Sequence, residues 1–166
     1  MLCPVCGFDN YVGEDLCGNC GADLTASDTP EAATSFTGRL LGTHLDDLGA
    51  PEPVTADAGD DVAETIVRMR RDGTDCLLVL EAGRLVGIFT DRDAILKVAG
   101  RAGLPPTLRD VMTTDPVVLR RDDPIAVAIH KMAVGGFRHV PVMDGDRAVA
   151  VVSARDVFRH IATRLG

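Results

Sequence analysis

The sequence repeats itself at an interval of 63 residues. Residues Leu45–Gly103 align with Leu108–Gly166 without a gap, and 17 of the 59 aligned pairs are identical, among them Gly73 with Gly136. A unit of about 60 residues can barely bury a core of its own, so we expect the two units to pack on each other. Ligands commonly bind where such units meet, and the repeat therefore directs the search for a functional site.

The composition is that of a globular protein, with 46% hydrophobic and 25% charged residues among 166. This length suits one compact domain with an appendage. No apolar run approaches the ~18 residues needed to span a bilayer. The first residues, which include Cys3, lack the basic segment and apolar core of a secretory signal. These observations predict a cytoplasmic protein.

The formal net charge is −8, and only two of the basic residues are lysines, Lys97 and Lys131. An acidic surface repels phosphate backbones, so the charge disfavours bulk binding of nucleic acid. It is most simply a solubility adaptation. It does not exclude a small anionic ligand held in a local basic pocket.

Four cysteines form two C-x-x-C-G pairs that ten residues separate. Two residues between thiolates let both sulfurs reach one ion, and the following glycine lets backbone N–H groups face the sulfurs. The pattern predicts a closed, structural zinc site. Two disulfides, a redox pair or iron are the alternatives, although a cytoplasmic setting argues against disulfides. The predicted metal ligands are Cys3, Cys6, Cys17 and Cys20.

The segment Cys3–Leu24 resembles the short zinc-ribbon family of bacteria and archaea, and it shares Asn10 and Leu24 with that pattern as well as the cysteines. So short a segment has almost no core, so metal binding would supply its folding energy. Four cysteine ligands leave no open position for catalysis. The resemblance leaves open whether the ribbon docks a partner protein, contacts nucleic acid or caps an end.

Each repeat begins with an extended piece and an acidic turn, and a helix follows. Asp60 and Asp123 are the predicted helix N-caps, with Pro124 at the first helical position. Gly73 and Gly136 are predicted to end the two helices. An apolar stripe at i, i+4 and i+7 predicts the buried face of each helix: Val62, Ile66 and Met69, and Ile125, Ile129 and Met132.

Two strands joined by a turn are predicted next in each repeat. Their near-continuous apolar character indicates burial on both faces. The turns have suitable residues, and a second helix is predicted to start at Thr90 or Ser153. The strands are Cys76–Leu80 with Leu85–Phe89, and His139–Met143 with Ala148–Val152.

The order strand–helix–strand–strand–helix, found twice, resembles the CBS-domain pair, or Bateman module, over residues 43–166. The markers are LRDVM at 108–112, DPV at 115–117, GFRHVPV at 136–142 and GIFTDRD at 87–93. The predicted fold class is therefore α/β, a tandem CBS-domain pair (β-α-β-β-α repeated twice) preceded by a small four-cysteine zinc ribbon. The predicted domains are a zinc ribbon at 1–24, a flexible linker rich in Ser, Thr and Ala at 25–40, and CBS repeats at 41–103 and 104–166.

Thr90-x-x-Asp93 and Ser153-x-x-Asp156 are candidate ligand sites. Taken alone, the pattern is that of a helix capping box. A helix N-terminus also offers N–H groups and partial positive charge to an anion, and a carboxylate can accept from both ribose hydroxyls. In the CBS family the corresponding residues often hold the phosphate and ribose of adenosine ligands. The resemblance therefore implies that the two-repeat module binds an adenosine-type ligand through residues of this kind.

The two predicted sites are unequal. The second repeat has Arg138 and His139 before its strand, which could meet phosphate oxygens, whereas the first has Asp75 and Cys76 there. We expect the tighter site in the second repeat, at Arg138, His139, Ser153 and Asp156. The site of the first repeat is expected to be empty, weak or suited to a less charged ligand.

In related modules, a residue from the segment before one repeat completes the site of the other repeat. Thr43 and Thr107 occupy those segments here and complete the predicted set of nucleotide contacts.

The leading hypothesis is a non-catalytic regulatory module, not an enzyme. It would bind AMP, ADP, ATP or S-adenosylmethionine and signal to an unknown partner protein through a homodimer or through the ribbon, without a membrane. The alternative is a zinc-ribbon adaptor for protein or nucleic acid, with the CBS pair acting only as a dimerisation scaffold. Its nucleic-acid form is weakened because Asp9, Glu14 and Asp15 of the ribbon are all acidic.

Overall fold

A computed structural model describes residues 2–3, 5–11, 14–24, 42–99, 103 and 107–165. The predicted linker at 25–40 lies outside these residues, and the predicted domain bounds remain predictions. The described residues divide into two compact units. Unit 1 takes them from Met1–Ala50, Leu119–Val142 and Val152–Gly166, and unit 2 from Pro51–Val118 and Met143–Val151.

The predicted β-α-β-β-α order is confirmed in both repeats, with one additional two-residue strand, Thr113–Thr114, ahead of the second. The first repeat contains β1 (Thr55–Asp57), α1 (Val62–Asp72), β2 (Cys76–Glu81), β3 (Arg84–Thr90) and α2 (Asp91–Asp93), which runs on into a π-helical turn at Ala94–Val98. The second contains β4 (Thr113–Thr114), β5 (Leu119–Arg120), α3 (Ile125–Gly135), β6 (His139–Asp144), β7 (Arg147–Ser153) and α4 (Ala154–Leu165). Two 3-10 turns precede the repeats, at Leu45–Leu48 and Leu108–Asp110.

The strands form one sheet of order β1-β2-β3-β4 and one of order β5-β6-β7. β2 is parallel to β1 and antiparallel to β3, which pairs antiparallel with β4. The predicted burial of β2 is confirmed, since its residues Cys76–Val79 are all buried. Residues of β2 and β3 therefore form the centre of a core that α1 and the 3-10 turn at Leu108–Asp110 complete.

The predicted apolar stripe faces the core in α1, where Val62 and Met69 are buried and Ile66 packs against the same cluster. Gly73 and Gly136 end their helices as predicted. Both take a left-handed φ of 65°, which glycine adopts without steric cost. Each then donates its N–H to a carbonyl four residues earlier, which closes the last helical turn.

The predicted N-caps are wrong by one residue. Asp61, not Asp60, caps α1, and its Oδ1 accepts from the N–H of Glu64 at 2.9 Å. The Asp60 carboxylate instead accepts from the N–H of Asp57, so it holds the turn before the helix. The second repeat follows the same plan. Asp123 accepts from the N–H of Arg120, and Pro124 stands at the N-cap without a side-chain cap.

The segments that precede the two repeats are exchanged between them. In unit 1, the N–H of Leu45 donates to the carbonyl of Asp123 at 3.0 Å, and the N–H of Ile125 donates to the carbonyl of Thr43 at 2.8 Å. In unit 2, the N–H of Leu108 donates to the carbonyl of Asp60 at 3.0 Å. Each repeat is therefore completed by the segment that leads into the other one.

Candidate functional site

The four predicted metal ligands lie together. Their sulfur atoms are all within 4.8 Å of one another, with Cys3 Sγ 3.7 Å from Cys20 Sγ and Cys6 Sγ 3.6 Å from Cys17 Sγ. Zn–S bonds of about 2.3 Å in a tetrahedron require S···S separations of about 3.8 Å. The cluster therefore fits one tetrahedral zinc ion, and no disulfide joins any of these cysteines.

A second, shorter repeat builds this cluster. The segments LCPVCGFD and LCGNCGAD begin 14 residues apart, at Leu2 and Leu16. Corresponding hydrogen bonds link Cys3 N–H to the carbonyl of Phe8 and Cys17 N–H to the carbonyl of Ala22, both at 2.8 Å. The site thus consists of two equivalent turns, each of which supplies two thiols.

The backbone of the second turn favours a thiolate. Burial opposes ionisation of Cys17, but the N–H groups of Cys20 and Asn19 donate to its sulfur and lower its pKa to about 6. Burial raises the pKa of Cys6 and of Cys20. Because the thiolate is the metal ligand, the same N–H donors would stabilise Cys17 when it binds a cation.

In unit 1, Ser153 and Asp156 form the capping box at the start of α4. The N–H and Oγ of Ser153 both donate to Asp156 Oδ2, at 2.9 and 2.6 Å, and the N–H of Asp156 donates back to Ser153 Oγ. Among the described residues, Asp156 Oδ1 contacts only Nη1 of Arg159, at 3.4 Å from a side chain that is 69% exposed. Asp156 Oδ1 therefore retains capacity for further hydrogen bonds, on a side chain that is 17% exposed.

Arg138 lies beside the same helix start. Its carbonyl accepts from the N–H of Ala154, the first residue of α4, at 2.8 Å. His139 follows at the start of β6 and is half-buried. The residues around this helix N-terminus thus include the two basic side chains Arg138 and Arg155 and one acid, Asp156.

In unit 2, the corresponding box is closed by further partners. The N–H and Oγ1 of Thr90 donate to Asp93 Oδ2 at 3.0 and 2.7 Å. Asp93 Oδ1 accepts from Thr113 Oγ1 at 3.0 Å and lies 2.7 Å from Lys97 Nζ. Burial would raise the pKa of Asp93, but these hydrogen bonds, led by that of Lys97, hold it below its ordinary value.

The start of α2 is acidic, unlike that of α4. The carbonyl of Asp75 accepts from the N–H of Asp91 at 3.0 Å, so Asp75 and Asp91 flank the box that contains Asp93. Burial, and then the charges of Asp75, Asp93 and Asp91, raise the pKa of the Cys76 thiol to about 12. The first repeat therefore has Asp75 where the second has Arg138, and Asp91 where the second has Ala154, whereas Arg92 and Arg155 are the same in both.

A family model for the CBS domain matches residues 45–100 and 108–163. The chain belongs to the CBS-domain family. A fission-yeast relative, "Meiotically up-regulated gene 70 protein" of Schizosaccharomyces pombe, is 32% identical over 117 residues. That match covers 69% of this chain but only 16% of the yeast protein.

Solved structures share the fold of this CBS pair. The CBS domain pair of protein MJ0100, in complex with 5′-methylthioadenosine and S-adenosyl-L-methionine, is 25% identical with a TM-score of 0.67, covering 74% of this chain and 98% of that one. CBS domain protein PAE2072 from Pyrobaculum aerophilum, complexed with AMP, is 23% identical with a TM-score of 0.64, covering 73% and 99%. Within the described residues, no helix is both long and apolar enough to cross a membrane.

Thr43 and Thr107 take different positions in this CBS pair. Thr43 is buried in unit 1. Thr107 caps the 3-10 turn of unit 2, and its Oγ1 donates to Asp110 Oδ2 at 2.7 Å. Within the described residues, no hydrogen bond joins Thr107 to Thr90 or Asp93. The structure thus groups Thr43 with Ser153 and Asp156 in one unit, and Thr107 with Thr90 and Asp93 in the other.

Sequence reasoning missed Lys97 and Thr113. A signal for Lys97 exists, because it follows Asp93 by four residues in a helical segment and such pairs lie on one face. Thr113 is 20 residues from Asp93 and reaches it only because β4 pairs with β3. A cavity of about 560 Å³ also lies in unit 2, but it is lined by Asp60, Asp61 and residues of α1 and includes neither Thr90 nor Asp93.

Proposed function

We propose that this CBS pair is a non-catalytic regulatory module that binds an adenosine-containing ligand at the second repeat and signals to a partner protein in the cytoplasm. The observation that carries the proposal is the start of α4. There, two hydrogen bonds from Ser153 hold Asp156 Oδ2 and leave capacity on Oδ1, and the N–H of Ala154 holds the carbonyl of Arg138 beside them.

The helix start suits a phosphate. α4 has twelve residues, so its N-terminus carries the partial positive charge of a full helix. Arg138 and Arg155 add cationic donors of the kind that bind phosphate oxygens. The first repeat has Asp75, Asp91 and Asp93 around the corresponding turn, which would repel the same group.

The carboxylate suits a ribose. Asp156 keeps its side chain 17% exposed, and Ser153 occupies only Oδ2. Oδ1 can therefore accept hydrogen bonds from vicinal hydroxyls, and the exposed Arg159 can move away at small cost. The complex of the MJ0100 CBS pair with 5′-methylthioadenosine and S-adenosylmethionine supports a ligand of the adenosine class.

Calorimetric titration of the full chain with AMP, ATP and S-adenosylmethionine tests the proposal. We expect at least one to bind at sub-millimolar concentration. Asp156→Ala should weaken binding at least tenfold, whereas Asp93→Ala, the matched change 63 residues earlier, should leave it within about twofold. Thermal unfolding of both variants controls for lost stability. Each variant loses the acid of its capping box, about 1 kcal/mol, and Asp93→Ala also loses the contacts with Lys97 and Thr113.

Arg138→Ala separates the two parts of the ligand. It should weaken AMP and ATP more than 5′-methylthioadenosine, because the last ligand carries no phosphate. If none of the ligands binds the unmodified protein, the sensor proposal is wrong and the boxes are helix caps only.

The zinc ribbon is proposed to hold structural zinc and to contact a partner protein. The stretch 1–24 contains four acidic residues and no Lys, Arg or His, which disfavours contact with nucleic acid. Leu2, Tyr11 and Leu16 are exposed apolar side chains, which suit a protein surface. A gel shift with nucleic acid that survives physiological salt would favour the alternative.

A homodimer through the helices is also proposed. Val67 of α1, Val134 of α3 and Phe158 of α4 are large apolar side chains that remain exposed in a single chain. Light scattering should give twice the chain mass of 17.6 kDa, and a monomer mass at micromolar concentration would contradict the dimer.

A further inference from the structure

We propose that Lys97 and Thr113 occupy the ribose-binding carboxylate of the first repeat, so that each chain takes one nucleoside ligand, at the second repeat. This inference rests on the proposed function, and it names the residues that make the two sites unequal.

The first step is the hydrogen-bonding capacity of Asp93. A carboxylate has about four lone-pair positions. Thr90 takes two of them through its N–H and Oγ1. Lys97 Nζ at 2.7 Å and Thr113 Oγ1 at 3.0 Å take the two on Oδ1. No position remains for the two hydroxyls of a ribose.

The second step is the mutual support of the two occupants. Lys97 Nζ also donates to Thr113 Oγ1 at 3.0 Å, so the ammonium, the hydroxyl and the carboxylate form a closed triangle. Asp93 is buried, with 8% of its surface exposed. A ribose would have to displace Lys97, whose side chain is 35% exposed, and would leave the buried carboxylate without its counter-charge, which is unfavourable.

The third step is the comparison with the second repeat. At the 63-residue interval, His160 corresponds to Lys97 and Ala50 corresponds to Thr113. Alanine has no hydroxyl to donate, and the described residues place only the exposed Arg159 on Asp156 Oδ1. The second repeat therefore lacks counterparts of the Lys97 ammonium and the Thr113 hydroxyl, at the helix start whose arginines favour a phosphate.

The backbone around Lys97 differs in the same way. The segment Ala94–Val98 forms a π-helical turn closed by Ala99 N–H on the carbonyl of Ala94, whereas α4 continues as a regular α-helix. The first repeat therefore departs from the second in helix type at the residue that fills its carboxylate.

Titration with neutral nucleosides tests the inference, because adenosine and 5′-methylthioadenosine avoid phosphate repulsion by Asp75 and Asp91. We expect one bound nucleoside per unmodified chain and two for Lys97→Met with Thr113→Ala, which together free both positions on Asp93 Oδ1. Lys97→Arg keeps the cation and should stay at one. His160→Met, the matched change in the second repeat, should also stay at one.

A variant with a disabled second site isolates the first site. Asp156→Ala should bind adenosine at least tenfold more weakly than the unmodified chain. Adding Lys97→Met and Thr113→Ala to it should regain binding, and adding Asp93→Ala as well should remove it again. Two nucleosides on the unmodified chain, or no recovery in the triple variant, would overturn the inference while the proposed function stands. No binding to the unmodified chain would instead defeat the proposed function, and this inference with it.

Discussion

Lys97 Nζ lies 2.7 Å from Oδ1 of the buried Asp93. This ion pair adds a charge interaction to what the sequence presents as a simple capping box. The corresponding box at Ser153 and Asp156 keeps its cap but gains only an exposed arginine contact. The same motif therefore differs between the repeats. In the first, other side chains fill the carboxylate of Asp93, and in the second, Asp156 Oδ1 keeps capacity for a further hydrogen bond.

The Asp93 ion pair predicts a specific pH dependence of stability. The folded-state pKa of Asp93 is held below 3.8, so between the two pKa values the unfolded chain binds more protons than the folded one. Its stabilising effect is complete above about pH 4 and is lost as the pH falls through the folded-state pKa. Urea unfolding should therefore show a shallower acid loss for Asp93→Asn than for the unmodified chain.

The comparison isolates Asp93 from other acids. Arg71 lowers the pKa of Asp72, and Arg109 lowers the pKa of Glu81. Both of these pairs are present in the unmodified chain and in Asp93→Asn, so they cancel in the comparison. Lys97→Met should give an intermediate slope, because Thr90 and Thr113 still donate to Asp93. Identical acid slopes in the unmodified chain and Asp93→Asn would show that this pair does not hold the pKa down.

The sequence predicts most of the fold because its signals are local. The 63-residue interval predicts that the same elements occur twice. The stripe at Val62 and Met69 predicts the buried face of a helix, and Gly73 and Gly136 predict where two helices end. The structure confirms these predictions. The strand bounds differ from prediction by one residue at most of their ends. Local turn chemistry is harder, since Asp60 and Asp61 are both suitable caps and only the backbone decides between them.

The closed first site was less predictable because it depends on distant residues. The ladder between β3 and β4 sets Thr113 beside Asp93, and the exchange of leading segments brings that strand to the first repeat. No local pattern around Thr113 specifies this pairing. The four-cysteine cluster was predictable for the opposite reason, since each C-x-x-C pair sets its geometry within four residues.

Zinc removal should unfold the ribbon alone. We expect one zinc per chain by elemental analysis, and about none in Cys17→Ser, because three thiols cannot close the tetrahedron. Amide NMR signals of residues 2–24 should then collapse while those of the CBS pair stay in place. Cys76→Ala, which changes the one cysteine outside the cluster, should keep its zinc. Full zinc content in Cys17→Ser would contradict a four-cysteine site.

Gly87→Ala should destabilise the first repeat. A β-carbon at Gly87 would lie 2.5 Å from Met112 Sδ and 3.0 Å from the carbonyl oxygen of Thr113, and β4 cannot retreat without giving up its pairing with β3. We expect a loss of about 1–3 kcal/mol in the free energy of unfolding. Adding Met112→Ala removes the clash with the sulfur but not the one with the Thr113 carbonyl oxygen. The double variant should therefore lose less free energy of unfolding than the two single variants lose in sum. Strictly additive losses would show that Met112 moves aside freely and that glycine is not required for the approach of β4.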